Sequence, residues 1–127
     1  MDLVYLAIAV ILLEYFVFTM LVGMARGKTG IQAPAMTGDP LLERTIRVQL
    51  NTLEQMVVVI PASWLFGFYV HSQVAAGLAL VFIIGRVLYY RGYVEEPSKR
   101  SMGFGLGFLA TVVLLIGGLY GTVMAVI

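Results

Sequence analysis

The chain has 127 residues, of which 61% are hydrophobic and 12% charged, and its mean hydropathy is +0.97. Soluble domains are only about 45 to 50% apolar, so this composition excludes a soluble catalytic domain and indicates a polytopic membrane protein. The net charge of +1 argues against a nucleic-acid partner, which needs a basic surface. Because there is no cysteine, thiolate metal sites and a cysteine nucleophile are excluded, and no metal is expected.

Apolar runs bounded by charges predict four spanning helices, which is the ceiling at about 20 residues per span plus loops. The spans are expected at residues 3–25, 44–70, 73–90 and 101–127. They predict one all-α domain over residues 1–127, an integral membrane four-helix bundle with up-down topology. Residues 26–43, rich in Gly and Pro, are predicted to form the longest loop. The first run follows Asp2 without a basic n-region, so we interpret it as a retained helix and not a signal peptide.

The basic residues indicate the orientation of the bundle. All of them lie at span ends that face the first and third loops, and the positive-inside rule places those loops in the cytoplasm. Both termini are then expected on the opposite side, and in a bacterium the membrane would be the inner one. The basic residues are Arg26, Lys28, Arg44, Arg47, Arg86, Arg91, Lys99 and Arg100.

The second span is too short in its apolar part to cross a membrane unaided. After Glu54 its charge-free stretch is 16 residues long, or about 24 Å, against a hydrocarbon core of about 30 Å. Arg47, Asn51 and Glu54 are therefore expected to enter the membrane or its interface. Their i, i+4 and i+7 spacing places them on one face of the helix.

The third span repeats this pattern at the same end with Arg86, Tyr89 and Tyr93 at i, i+3 and i+7. Two polar stripes at matching depth favour one shared cavity that opens toward the cytoplasmic interface. Glu14 lies in the middle of the first span, and the sequence offers no basic residue at comparable depth.

Each of these features has a simpler interpretation. Arg47 and Glu54 could be a structural ion pair that lets two helices pack. The cations near span ends could snorkel toward headgroups, and the tyrosines could form an interfacial aromatic belt. These groups comprise Arg86, Arg91, Lys99 and Arg100, and Tyr89, Tyr90 and Tyr93.

Two stretches together resemble the MAPEG superfamily, the membrane-associated proteins of eicosanoid and glutathione metabolism. They are Glu43-Arg44-Thr45-Ile46-Arg47-Val48-Gln49-Leu50-Asn51-Thr52-Leu53-Glu54 and Gly85-Arg86-Val87-Leu88-Tyr89-Tyr90-Arg91-Gly92-Tyr93, followed by Arg100. The resemblance implies a homotrimer of four-helix subunits that holds glutathione, as co-substrate, between neighbouring subunits at the cytoplasmic side. It also implies membrane lipids as surroundings and a lipophilic electrophile from the bilayer as second substrate.

The resemblance assigns roles to eight residues. Arg100 stands where the family's synthases carry the arginine that activates the thiol, and a nearby guanidinium lowers the pKa of a thiol. By similarity, glutathione would be held by Arg26, Arg47, Gln49, Asn51, Glu54, Tyr89 and Tyr93.

The sequence departs from the mammalian leukotriene synthases of this superfamily at two positions. Gln55 stands where they have a tyrosine, and Gly27 follows Arg26 where they have a second arginine. The sequence therefore favours a general glutathione transferase or peroxidase over leukotriene synthesis. Two alternatives remain open: a non-catalytic lipid-binding or scaffold relative, and a small transporter that uses Glu14 and the polar stripes as ion sites.

Overall fold

A computed structural model describes all 127 residues, and it consists of four long α-helices. These are Asp2–Thr29 (α1), Pro40–Tyr69 (α2), Ser72–Glu95 (α3) and Ser101–Val126 (α4), with a short 3-10 helix, Pro97–Arg100, before α4. Arg44, near the start of α2, donates hydrogen bonds of 3.3 Å to the carbonyls of Val94 and Glu95 at the end of α3. The two helices therefore run antiparallel, and the predicted all-α four-helix fold is confirmed.

Local sequence signals set the helix ends. α1 stops where Gly30 takes a left-handed conformation with φ 75° and donates its N–H to the Arg26 carbonyl at 2.9 Å. The Asp39 carboxylate caps α2 by accepting from the Leu41 amide at 2.8 Å, and Pro40 fits the first helical turn. His71, in the short turn between α2 and α3, caps α3 by accepting from the Val74 amide at 3.1 Å.

The helices extend beyond the predicted span boundaries by up to five residues. α1 continues past residue 25 to Thr29, α2 begins at Pro40 and not at 44, and α3 continues past residue 90 to Glu95. The loop between α1 and α2 is therefore 30–39, shorter than the predicted 26–43. The helices continue through the charged residues that limit the apolar runs, because a helix satisfies the backbone polar groups of those residues as well.

Three of the four helices are long and apolar enough to cross a membrane. They are α1, α3 and α4 with its preceding 3-10 turn, whereas α2 does not reach that standard. This difference agrees with the expectation that the second span carries polar groups into the membrane or its interface. Large apolar side chains cover the outside of the bundle, as a lipid-facing surface requires.

Glycines bring α3 and α4 into very close contact at the end of the bundle that carries the cations. A Cβ placed on Gly103 would lie 2.6 Å from the Gly85 carbonyl oxygen, and it would also collide with the Tyr89 backbone. Such small residues let two membrane helices approach at backbone distance. This approach places the aromatic side chains of α3 next to the first turn of α4.

Candidate functional site

A hollow of about 550 Å³ opens between α2, α3 and the start of α4, at the end of the bundle that carries the cations. It combines two guanidinium groups with an amide, a hydroxyl group and an aromatic wall. Its lining residues are Arg47, Asn51, Tyr89, Tyr93, Arg100, Ser101 and Phe104. Five of the eight predicted site residues thus face one space, although they come from three different helical segments.

Arg86 joins the two polar stripes from behind the hollow. Its side chain is only 1% exposed, and one terminal nitrogen donates to Asn51 Oδ1 at 2.8 Å. Its guanidinium also lies 4.1 Å from the ring centroid of Tyr89. Snorkelling is therefore the wrong interpretation for Arg86, since a buried cation that binds across two helices does not reach toward headgroups.

The aromatic wall is continuous. Tyr89 is buried, and its ring centroid lies 5.5 Å from that of Tyr93 and 6.1 Å from that of Phe104. Distances in this range suit tilted aromatic pairs. The wall therefore places two phenols beside the cations of the hollow.

Arg100 lies at the mouth of the hollow, in the 3-10 turn that leads into α4. Its guanidinium lies 5.7 Å from the ring centroid of Tyr93 and donates to the Pro97 carbonyl at 2.6 Å. The side chain is exposed, so a ligand can approach the donors that Pro97 does not use. The neighbouring Lys99 points elsewhere and pairs with Glu95 at 2.9 Å.

Glu54 does not line the hollow but pairs with Arg47, whose Nη1 lies 3.1 Å from Glu54 Oε1. The ion pair itself is therefore present, but both partners belong to α2, so it does not join two helices. Both side chains remain about half exposed, at 47% and 58%, so the pair can exchange partners with a ligand.

Arg26 and Gln49 do not line the hollow of their own chain. The expectation that neighbouring subunits hold glutathione between them does not require that they do. Arg26 donates to the Ala35 carbonyl at 2.7 Å and the Ile31 carbonyl at 3.5 Å, and so holds the loop after α1. Gln49 donates to Thr19 Oγ1 at 3.0 Å on the exposed side of α1. Gln49 follows Arg47 by two positions, which turns its side chain toward a different face of α2.

Three residues at the site were absent from the predicted set. The sequence places Arg86 in the polar stripe of the third span without assigning it a ligand, although its i, i+3 spacing to Tyr89 indicates a role in the site. Ser101 and Phe104 lie in the first turn of α4, next to Arg100, and their position there is the only sequence signal that points to them.

A second polar hollow of about 420 Å³ adjoins the first on the outer side of Arg47 and Tyr93. It lies between the first turn of α2 and the 3-10 turn. Its remaining lining residues are Pro40, Glu43, Arg44 and Pro97.

Comparison with known proteins agrees with this architecture. A family model described as the MAPEG family matches residues 4–120. An uncharacterized protein of Synechocystis is 45% identical over 105 residues, which are 83% of this chain and 77% of that one. Human microsomal glutathione S-transferase 2 is 43% identical over 77% of this chain and 68% of its own. Bovine leukotriene C4 synthase is 31% identical over 65% of this chain and 55% of its own. The family model covers every residue that lines the hollow and most of the four helices, and the chain belongs to the MAPEG family.

Proposed function

We propose that this protein is a glutathione-dependent membrane transferase that binds the tripeptide in the hollow between α2, α3 and α4. The observation that carries the proposal is that Arg47 and Arg100, from different helical segments, face one space lined by Asn51 and two tyrosines. The similarity to microsomal glutathione S-transferase 2, whose name states its co-substrate, supports the same assignment.

The chemistry of glutathione suits these residue types. The tripeptide carries two carboxylates, an ammonium group and a thiol, so guanidinium forks can bind its acidic ends. Arg47 takes a carboxylate, and Glu54, released from Arg47, takes the ammonium. Asn51 and the phenols of Tyr89 and Tyr93 bind the peptide groups between them.

Arg100 is the proposed catalytic residue. A free alkyl thiol has a pKa of about 8.5, and only its thiolate is a strong nucleophile. The Arg100 guanidinium at the mouth of the hollow lowers the pKa of the glutathione thiol by stabilising the thiolate. The proton passes to bulk water, because Arg100 itself stays protonated.

The thiolate then attacks a lipophilic electrophile that arrives from the bilayer. With an aryl halide or a similar compound, a sulfur–carbon bond forms and the leaving group departs as an anion. With a lipid hydroperoxide, the sulfur takes the outer oxygen and leaves the lipid alcohol. A second glutathione then converts the resulting sulfenic acid into glutathione disulfide and water. Holding both reactants in one site makes the encounter effectively intramolecular.

In this proposal the protein is a homotrimer, and a neighbouring subunit supplies Arg26 and Gln49 to the glutathione site. Neither residue lines the hollow of its own chain: Gln49 contacts α1, and Arg26 contacts the loop that follows α1. A neighbouring copy can therefore present them to the open side of the hollow. Glutathione is then bound between subunits, as the resemblance implied.

We further propose that residues 1–127 form one domain with both termini on the non-cytoplasmic side. Every basic residue lies in the half of the bundle that carries the hollow, and the positive-inside rule places that half toward the cytoplasm. Glutathione would then enter from the cytoplasm and the electrophile from the surrounding lipid. In a bacterial cell the membrane is the inner one.

The proposal is tested with purified protein in detergent, glutathione and an aryl halide. We expect the wild type to bind glutathione, to show the ultraviolet absorbance of a thiolate on binding and to form the conjugate. Arg100→Ala should keep most of the glutathione affinity but lose the thiolate absorbance, because it loses the cation that stabilises the negative sulfur.

Lys99→Ala is the matched control, since it removes a neighbouring exposed cation that pairs only with Glu95. It should leave both signals unchanged. A wild type that binds no glutathione and converts no electrophile would overturn the proposal in favour of a non-catalytic scaffold. An Arg100→Ala variant with an intact thiolate signal would remove Arg100 from the catalytic role.

A further inference from the structure

The smaller of the two polar hollows, between the first turn of α2 and the 3-10 turn, has no role in the binding of glutathione proposed above. Its volume of about 420 Å³ lies within the range of about 300 to 1,000 Å³ that small-ligand sites occupy. On α2 its lining begins at Pro40 and ends at Arg47, whereas the larger hollow uses Arg47 and Asn51. The smaller hollow therefore lies about one helical turn nearer the start of α2.

Arg44 is the guanidinium that the smaller hollow adds to the site. Its Nη1 donates to the carbonyls of Val94 and Glu95 at 3.3 Å each, which anchors the side chain between α2 and α3. A guanidinium has five N–H donors, so Nε and the other terminal nitrogen remain available. The hollow therefore presents a positioned cation with donors for a carboxylate.

Glu43 supplies the opposite charge on the same turn. Its Oε2 accepts from the Gly38 amide at 3.2 Å, which holds the carboxylate at the hollow and leaves Oε1 available. A hollow that presents both a guanidinium and a carboxylate suits a zwitterion better than a simple anion such as phosphate, because the carboxylate repels a pure anion.

The two hollows meet at Arg47 and Tyr93, which line both of them. A ligand in the smaller hollow therefore contacts the same two side chains as a ligand in the larger one. Hydroperoxide reduction, as proposed above, consumes a second glutathione after the first has become a sulfenic acid. This tripeptide is a zwitterion with the carboxylates and the ammonium group that the smaller hollow can bind.

We propose that the smaller hollow is a second glutathione site, which supplies the reducing thiol for hydroperoxide reduction and so rests on the proposed function. Arg44 binds a carboxylate of the second tripeptide, and Glu43 binds its ammonium group. The second thiol attacks the sulfenic sulfur in the larger hollow. The sulfur–sulfur bond forms, the sulfur–oxygen bond breaks, and the hydroxide leaves with the thiol proton as water. Binding the second thiol beside the first sulfur makes this step effectively intramolecular.

Equilibrium dialysis of the full-length protein in detergent against radiolabelled glutathione counts the sites. We expect two glutathione molecules per subunit. Glu43→Gln keeps an oxygen that can accept from the Gly38 amide but loses the negative charge. It should raise the Kd of one site by about tenfold and leave that of the other within about twofold of the wild type. One glutathione per subunit in the wild type would overturn the second site.

A kinetic comparison separates the second site from the first. Conjugation to an aryl halide uses one thiol, whereas reduction of cumene hydroperoxide uses two. At subsaturating glutathione, Arg44→Ala and Glu43→Gln should each slow hydroperoxide reduction by about tenfold and leave conjugation within about twofold. Equal losses in both reactions would make the smaller hollow an entrance to the larger one and overturn the proposal. A wild type that forms the conjugate but reduces no hydroperoxide would overturn it as well.

Arg91→Ala is the control for the loss of a cation at this end of the bundle. Arg91 is exposed and lines neither hollow, so its removal should change neither reaction. Because Arg44 also ties α2 to the end of α3, thermal unfolding is measured for every variant. If Arg44→Ala does not fold, Glu43→Gln decides the outcome, since it can keep the contact with Gly38.

The failure of this proposal is distinguishable from the failure of the proposed function. A wild type that binds no glutathione overturns both. A wild type that binds one glutathione per subunit and forms the conjugate retains the proposed function and loses only the second site.

Discussion

Arg47 Nη1 lies 3.1 Å from Glu54 Oε1, so the cation and the carboxylate that we assign to opposite ends of one ligand are paired with each other. Both side chains are about half exposed, and an exposed ion pair contributes only about 0 to 1 kcal/mol. The pair therefore keeps the two side chains extended along one face of α2, and it is weak enough for a ligand to replace it.

The first prediction separates a binding role of Arg47 from a structural one. Arg47→Ala should leave the unfolding temperature nearly unchanged, because the lost pair is weak. It should raise the Kd for glutathione by about 10- to 100-fold, the equivalent of about 1.5 to 3 kcal/mol for a hydrogen bond to a charged group. Isothermal titration calorimetry and thermal unfolding measure the two effects.

Arg91→Ala is the control for this prediction. Arg91 is an exposed cation at the same end of the bundle that does not line the hollow. Its removal should leave the Kd unchanged. If Arg47→Ala destabilises the protein and leaves glutathione binding intact, the ion pair is structural.

A second prediction concerns Tyr93, whose ring centroid lies 5.7 Å from the Arg100 guanidinium. At exposed sites such a contact contributes about 0.5 to 1 kcal/mol. At saturating glutathione, Tyr93→Phe keeps the ring and should retain the thiolate signal within about twofold, whereas Tyr93→Leu should reduce it by about fivefold.

The pH dependence of kcat/KM shows whether the Tyr93 substitution raises or lowers the pKa of the bound thiol. When Arg100 is less well placed, the pKa of the bound thiol rises toward its free value, so the acid limb of the profile should move to higher pH in Tyr93→Leu. Tyr120→Leu, a change at an exposed ring near the other end of α4, should leave the limb in place. Equal losses in the Phe and Leu variants would assign the effect to the phenol and not to the ring.

A third prediction concerns the loop after α1. Arg26 donates to the Ala35 and Ile31 carbonyls, so it ties the loop to the last turn of the helix. Arg26→Ala should make residues 30–39 about fivefold more susceptible to a broad-specificity protease, since each hydrogen bond contributes about 1 kcal/mol. Mass spectrometry of the fragments locates the cleavage.

Lys28→Ala removes an exposed cation from the same turn and provides the comparison. It should be digested at the wild-type rate. If Arg26→Ala is also digested at the wild-type rate, Arg26 does not stabilise the loop, and any loss of glutathione affinity in that variant belongs to direct binding.

Most of the fold could be predicted from the sequence, because the features that specify each helix lie within a single stretch of the chain. Long apolar runs identify spanning helices. The helical spacing places Arg47 and Asn51 on one face of the second helix, and Tyr89 and Tyr93 on one face of the third. The prediction of the helix ends was less accurate, because charged residues such as Arg26 and Arg91 continue a helix as readily as they end it.

The site was only partly predictable because its assembly depends on contacts between helices. Spacing along α2 could not show that Gln49 turns to Thr19 on α1 while Arg47 faces the hollow two positions earlier. Nor could it show that Arg86 binds Asn51 across the helix pair. These relationships depend on the order and depth of the helices, which are properties of the bundle.

The last prediction concerns the contact between α3 and α4 that builds the aromatic wall. A Cβ on Gly103 would collide with the Tyr89 backbone and lie 2.6 Å from the Gly85 carbonyl oxygen. Gly103→Ala should therefore separate the helices, at a cost of about 1 to 3 kcal/mol for overpacking, and move Tyr89 in the process. We expect a lower unfolding temperature together with weaker glutathione binding.

Gly105→Ala provides a matched control on the same helix. A Cβ there meets no atom within 4 Å, so the added methyl group is accommodated and the helix gains intrinsic propensity. Its unfolding temperature and glutathione affinity should equal or slightly exceed those of the wild type. If Gly103→Ala behaves in the same way, the close approach of α3 and α4 is not what holds Tyr89 beside the hollow. If it loses stability but binds normally, the contact supports the bundle alone.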